Sequence, residues 1–322
     1  MKISLSQVTS LEFKKAVIAV GGKPVTLSEL ECKGAEYAIT SDDVFFMTER
    51  PKKILVLGGG YIAMECASYF KKLGSEVVVM VRSVPMRVYD PQVSEYVLKY
   101  MTEDGVEFIN QSLPTEIKKN SDGSFDVVYK NDKGEAAVLE KVDTVLSAIS
   151  RRPYFDQLNL SVLPGIKQTN NHKLVGGVNG EQERIHENIY AVGDCLEGPP
   201  ELTPIAIRFG RFLAKKLDKQ IKGEEPKELN FDYKFFPSTV FTYPEYSFCG
   251  YNEPEARKKF GSDKVKAYHG LASVLEWAMI LESPKAYFKA VCLIQPDGQE
   301  KVIGLHYVGP NAGEVMQGWA VF

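Results

Sequence analysis

Long apolar runs, close cysteine pairs and an excess of charge of either sign are all missing from this sequence. No stretch is long and apolar enough to span a bilayer. The start, Met1-Lys2-Ile3-Ser4-Leu5-Ser6, lacks the apolar core of a signal peptide. Only five cysteines (Cys32, Cys66, Cys195, Cys249, Cys292) occur in 322 residues, and none forms a CxxC or other close pair. That speaks against a disulfide scaffold or a zinc site, and for a reducing compartment. The cytoplasm is therefore expected, with the mitochondrion as the alternative. A net charge of −3 gives no electrostatic case for nucleic acid or an anionic membrane surface. What is left is an ordinary globular composition, 44% hydrophobic, and a length that suits about two domains.

One stretch organises the rest: Ile54–Arg82, ILVLGGGYIAMECASYFKKLGSEVVVMVR. It reads as strand, glycine turn, helix, strand. Ile54–Leu57 is a short apolar run, Gly58, Gly59 and Gly60 make the turn, and Tyr61–Leu73 carries apolar residues at helical spacing. Gly74 stands where a helix stop belongs, and Val77–Val81 is a second buried run. The pattern Gly58-x-Gly60-x-x-Ala63 opens the helix. Gly58 permits the tight turn, Gly60 lets the backbone approach a pyrophosphate, and Ala63 keeps helix and sheet close. The N–H groups of the helix start, through Ile62, meet the phosphates. Inside a βαβ unit this spacing predicts a dinucleotide site; a glycine-rich turn without a ligand is the alternative.

The end of the second strand tells which dinucleotide. An NAD site usually places Asp or Glu there for the ribose 2′-hydroxyl. Here Val81 is followed by Arg82 and Ser83, then Arg87, with no carboxylate before Asp90. Two guanidinium groups and a hydroxyl suit a 2′-phosphate, so NADPH is expected over NADH.

Elsewhere the organisation is legible from punctuation. Ser41-Asp42-Asp43 reads as a helix cap before Val44-Phe45-Phe46. Pro51-Lys52-Lys53 marks a boundary. Asp90-Pro91 starts a helix that Gly105 ends, and Val106–Ile109 is a third strand. Alternating strands follow, with turns at Asp122-Gly123 and Asn131–Gly134, and Thr144–Ile149 is another apolar strand. Residues 51–150 thus form one α/β unit with an antiparallel excursion. A helix from Glu201 to about Gln220 precedes a charged linker, residues 221–230. From Phe231 onward, aromatic β segments around one helix (Glu253–Phe260) predict an antiparallel sheet.

Several motifs together resemble one family. LGGGYIAMECA (57–67), VMVRS (79–83) with Arg87, IYAVGDCLEG (189–198), ELTPIAI (201–207), STVFTYPEYSFCG (238–250), LEW (275–277) and GPNAGEV (309–315) resemble the large, glutathione-reductase-like thioredoxin reductases of the pyridine nucleotide-disulfide oxidoreductase family. Glutathione reductases, thioredoxin-glutathione reductases and NADH oxidases are alternatives; Arg82 and Arg87 argue against the last. The resemblance implies an α/β fold: a remnant of an FAD-binding domain (1–50), a Rossmann-like NADP-binding domain (51–150), the remainder of the FAD-binding domain (151–228) and a partial α+β dimerisation domain (229–322). It implies NADPH and FAD as cofactors, thioredoxin as substrate of the complete enzyme, and a homodimer. Tyr61 matches the aromatic gate over the nicotinamide pocket, and Glu65 the carboxylate near the nicotinamide that pairs with a lysine of the flavin domain. Arg82, Ser83 and Arg87 match the 2′-phosphate pocket, and Arg151 the arginine that closes the NADP domain. Asp194 matches the acid on the flavin ribityl chain, while Glu201, Leu202 and Thr203 match the stretch near the flavin ring.

The departures are as informative. Only one glycine fingerprint is present, and it is the NADPH one. No cysteines have the family's Cys-x4-Cys spacing, and His172, His186, His269 and His306 do not match its His-Glu base. No catalytic residue is therefore expected within these residues. The last segment, Asn311–Phe322, starts a helix without a stop signal. The expectation is a chain lacking both ends of the family pattern, inactive by itself. A non-catalytic NADPH-binding relic is the alternative.

Overall fold

The computed structural model describes residues 12–224, 233–277 and 285–321. Among the described residues there are five α-helices: α1 (Tyr61–Lys72), α2 (Pro91–Glu103), α3 (Thr203–Ile221), α4 (Glu253–Phe260) and α5 (Ala312–Trp319). By internal contacts the chain divides into two compact units, Pro24–Ser150 with Asp232–Phe322, and Met1–Lys23 with Arg151–Phe231. The domain boundary expected at residues 228–229 lies outside the described residues.

The larger unit is built on a five-stranded sheet in the order Ile39–Thr40, Thr144–Ser147, Lys53–Leu57, Glu76–Val81, Val106–Asn110. All its pairings are parallel, so every strand ends on the same edge. The near-continuous apolar runs of the sequence follow from burial on both faces. Ile54, Val56, Val77, Val79 and Val81 point to one core, shared with Ala63, Ala67 and Phe70 of α1 and Val93, Val97 and Met101 of α2. Leu55, Leu57, Val78 and Met80 point to the other, shared with Ile117, Val127 and Val142 of a three-stranded antiparallel sheet. The period of two along each strand thus assigns the residues to two cores. Each fully buried Val, Leu, Ile or Met side chain among them contributes roughly 1.5–3 kcal/mol of burial free energy.

Local signals fix the helix ends. Gly74, just past α1, takes φ 87°, the left-handed conformation that suits a helix stop. Asp90 caps α2 by accepting from the N–H groups of Gln92 and Val93, with Pro91 in the first turn. Asn252 and Glu255 form a capping box on α4. One expectation is corrected. The Asp42 side chain does not cap the short 3-10 turn Asp43–Phe46. Asp43 Oδ2 instead accepts from the N–H and hydroxyl of Thr40, at 2.7 and 2.8 Å, because the adjacent strand end leaves those donors within reach.

The same unit carries a second, antiparallel five-stranded sheet in the order Ser238–Val240, Glu245–Gly250, Glu300–Gly309, Ala286–Ile294, Val265–Ala272. Val240, Tyr246, Tyr287 and Val308 of this sheet join the core of α1 and α2, so the two sheets share one apolar interior. In the smaller unit, Ala16–Ile18 pairs parallel with Ile189–Ala191, which pairs antiparallel with Arg184–His186.

Candidate dinucleotide site

Leu57 ends its strand and the chain turns at once into α1. Gly58 takes φ 131°, and a Cβ there would lie 2.2 Å from the Ala148 carbonyl oxygen of the neighbouring strand end. A Cβ at Gly59 would press to 2.6 Å on Cγ1 of Val81. Gly60 differs from both. Its backbone is extended, φ −85° and ψ 179°, a conformation open to any residue. No atom of the described chain lies within 4 Å of an added Cβ. The fold itself therefore demands glycine at 58 and 59 but not at 60. The space left bare at Gly60 adjoins the first turn of a 12-residue helix, whose opening N–H groups have no intrahelical partners. Such a cradle fits an anionic pyrophosphate. Ile62 packs half-buried against the core, and Ala63 is fully buried between helix and sheet.

The next strand end completes this edge. Arg82 and Arg87 are exposed, and among the described residues neither has an ion-pair or hydrogen-bond partner. Ser83 is half-buried between them. Their loop is pinned to the glycine turn. The Met86 N–H donates to the Gly59 carbonyl at 2.7 Å, the Met86 side chain is buried, and Ser94 Oγ donates to the Met86 carbonyl at 3.2 Å. Beside Arg87 the loop and α2 border an open groove of about 530 Å³, lined by Pro85, Met86, Leu98 and Phe108 among others.

Tyr61 and Glu65 stand one turn apart on α1. Tyr61 is 37% exposed, and Glu65 is half-buried. Burial pushes the Glu65 carboxyl up from its ordinary value, and a hydrogen bond from the Phe241 N–H to Oε1, 2.9 Å long, opposes that rise. Tyr89 packs against the same core as Ile62 and Cys66, its ring edge-on to Tyr246 and Phe248. Burial, then the nearby Tyr61 and Glu65, push the Tyr89 phenol up. Sequence reasoning gave no role to Phe241 or Tyr89. Phe241 lies inside the STVFTYPEYSFCG motif, which marked the region without showing that its backbone reaches α1.

Arg151, Asp194, Glu201, Leu202 and Thr203 belong to the smaller unit. Arg151 begins the strand Arg151–Pro153 and donates through Nη2 to the Gly22 carbonyl at 2.7 Å. Asp194 sits in the 3-10 turn Gly193–Cys195, where Gly193 has φ 74°. Burial, then the Glu201 charge, push its carboxyl up, while Lys173 and Arg151 pull it down. Glu201 pairs with Lys173 at 2.7 Å, Leu202 is the N-cap of α3, and Thr203 is its first residue. The structure thus groups the sequence-chosen residues in two sets. The glycine turn, Tyr61, Glu65, Arg82, Ser83 and Arg87 share one strand edge; Arg151, Asp194 and the start of α3 form the other set.

A parallel sheet whose first strand turns through glycines into a helix, with two exposed arginines after the second strand, defines a fold of Rossmann type. The chain belongs to the pyridine nucleotide-disulphide oxidoreductase family, whose profile matches residues 2–210; the family's dimerisation domain matches residues 236–322. Among curated proteins it is 40% identical over 316 residues to thioredoxin reductase 2, mitochondrial, of Drosophila melanogaster, covering 98% of this chain and 58% of that one. It is 39% identical over 325 residues to thioredoxin reductase SEP1 of Emiliania huxleyi, covering 98% of this chain and 62% of that one. The chain therefore spans about six-tenths of the length of these relatives. Among the described residues no helix is long and apolar enough to cross a membrane.

Proposed function

We propose that this chain binds NADPH at the Gly58–Arg87 surface, as the nucleotide-binding part of an NADPH-dependent flavoprotein disulfide reductase. The observation that carries the reading is Gly60, a glycine that the chain's own packing does not require, at the mouth of a helix. The residues that would hold the pyrophosphate of NADPH are Gly58–Ala63, with the first N–H groups of α1 as donors. Arg82, Ser83 and Arg87 hold the 2′-phosphate, their free guanidinium groups supplying the planar forks that phosphate oxygens match. Tyr61 and Glu65 bound the nicotinamide end. The chain's contribution there would be to bind and orient the nicotinamide.

FAD fits the second set of residues in chemical type. The half-buried Asp194 carboxyl, between Lys173, Arg151 and Glu201, suits the hydroxyls of a ribityl chain, and Leu202–Thr203 offer backbone beside the ring. When bound, FAD supplies the hydride-accepting chemistry. The names of the relatives support thioredoxin as the substrate of the complete protein, and one of those names gives the mitochondrion, the alternative to the expected cytoplasm. The dimerisation-domain match supports a homodimer. A second reading, an NADPH-binding protein without catalysis of its own, is favoured by the five free, scattered thiols.

Calorimetric titration of the purified chain tests the nucleotide assignment. NADPH is expected to bind at least about tenfold more tightly than NADH, equivalent to about 1.4 kcal/mol. Arg87→Ala is expected to erase most of that gap by weakening NADPH alone. Equal affinity for the two nucleotides would sink the assignment.

A further inference from the structure

Three residues on one stripe of α1 meet a segment far along the chain. The Phe241 N–H donates to Glu65 Oε1 at 2.9 Å, a contact between positions 176 apart. The Tyr243 N–H donates to the buried Ser68 Oγ at 2.7 Å. Lys72 Nζ stands over the Tyr243 ring, 4.2 Å from its centroid, the range of a cation–π contact. Glu65, Ser68 and Lys72 follow helical spacing, so they form a single line along the helix. The facing segment has just left the strand Ser238–Val240, whose last paired residue is Val240. The N–H groups of Phe241 and Tyr243, beyond that last pair, are both taken up by side chains of α1.

This arrangement constrains one carboxylate in particular. Glu65 is half-buried, so a freely rotating charged group would be costly there. Oε1 is tied to the Phe241 N–H. Among the described residues no donor meets Oε2. The carboxylate is thus held by one oxygen, and its orientation is set by that bond. Nothing about Glu65 alone would set that orientation, because a glutamate on a helix surface has several rotamers of similar energy.

We infer that the Phe241–Tyr243 segment is a positioning element of the nicotinamide end: its Phe241 N–H orients Glu65, and its Tyr243 contacts with Ser68 and Lys72 fix α1 against it. The inference rests on the NADPH reading above. It makes the nucleotide site composite. The glycine turn and arginines hold one end of the dinucleotide, and a backbone segment of the antiparallel sheet sets the other.

The test removes one donor and keeps everything else. In the full chain, Phe241 is replaced by its α-hydroxy analogue, phenyllactic acid, so the N–H becomes an ester oxygen and the side chain is unchanged. Affinity is then measured for NADPH and for 2′,5′-ADP, which carries the adenosine and 2′-phosphate but no nicotinamide. NADPH affinity is expected to fall about tenfold, in keeping with loss of a charge-assisted hydrogen bond, and 2′,5′-ADP affinity to stay within about twofold. Ser68→Ala is expected to give the same pattern, about threefold on NADPH, because the Phe241 bond remains. A melting curve of each variant confirms the fold. Unchanged NADPH affinity, or an equal loss for both ligands, would overturn the inference, the second by reducing the segment to a structural role. Failure of the unmodified chain to bind 2′,5′-ADP would overturn the NADPH reading and the inference with it. That failure is recognisable because it needs no variant.

Discussion

Gly58 and Gly60 stand two positions apart and are glycine for different reasons. At Gly58 both the backbone angle and the Ala148 carbonyl exclude a side chain. At Gly60 neither does. Alanine substitutions should separate the two. Gly58→Ala is expected to lower stability by more than about 1 kcal/mol, because alanine must take a left-handed φ against a carbonyl oxygen. Gly60→Ala should leave the melting temperature of the free chain unchanged or slightly raised, since alanine restricts the unfolded chain at a compatible φ. It should nonetheless weaken NADPH by about tenfold or more, because the methyl group occupies the cradle. Melting curves and titrations of both variants check this. A Gly60→Ala chain that binds NADPH as well as the parent would remove the phosphate from this turn. The two roles were readable in the glycine spacing, but the steric ground that excludes a side chain at Gly58 and not at Gly60 was not. It depends on Ala148, brought close only when the strand Thr144–Ser147 pairs with Lys53–Leu57.

At the scale of elements, a buried polar cluster ties α2 to the antiparallel sheet. Lys289 Nζ lies 2.9 Å from both Asp90 oxygens, 2.6 Å from Gln92 Oε1 and 2.8 Å from Glu253 Oε2. Burial alone would push the Asp90 carboxyl up; the Lys289 hydrogen bonds and charge and the Glu253 N–H together hold it below its ordinary value. Next to the cluster, Tyr246 Oη and His306 Nδ1 are 2.9 Å apart, and His306 Nε2 meets the Tyr251 carbonyl at 3.2 Å. The arrangement fits a neutral imidazole that donates from Nε2 and accepts from Tyr246. Burial, and more weakly the Lys289 charge, depress the His306 pKa, against the opposing pull of Asp90, Glu255 and the Tyr251 carbonyl. The sign of the pH dependence follows. Below about pH 6.5 an unfolded histidine takes up a proton that the folded one resists, so stability falls as pH drops from 7. Asp90 adds a second loss, confined to pH below about 4, as its depressed folded pKa is passed. Melting temperature is expected to decline between pH 7 and 5, and His306→Gln to flatten that segment of the profile. An unaltered slope in the variant would exclude His306 as its source. The sequence made α1, α2 and most strands legible through apolar period and turn residues. It did not reveal this cluster or the Phe241–Glu65 bond, because each joins residues far apart in sequence whose types are ordinary surface types when taken singly. Nor did periodicity reveal the two-residue edge strand Ile39–Thr40, too short to show alternation.

Across the whole molecule, the thiols bear on what these 322 residues can do. All five are free, and four of them are buried. Burial pushes every one of them up, Cys66 to about 11 with the Glu65 charge adding to the rise. A thiol reacts as its thiolate, so none of these is a ready nucleophile at neutral pH. A disulfide reductase also needs two thiols close enough to bridge, and no pair here is bridged. On the NADPH reading, nucleotide binding and disulfide chemistry are expected to separate in this chain. NADPH binding is expected with Glu65 and the arginines intact, while NADPH oxidation with oxidised thioredoxin or a small aromatic disulfide should stay at background for the purified 322 residues, with or without added FAD. Thiol labelling at pH 7 should be slow for the native chain and complete, at five groups, once it is unfolded. Rapid labelling of two native thiols, together with turnover of the disulfide, would show that a redox pair does form among these cysteines, and would return catalysis to the chain itself.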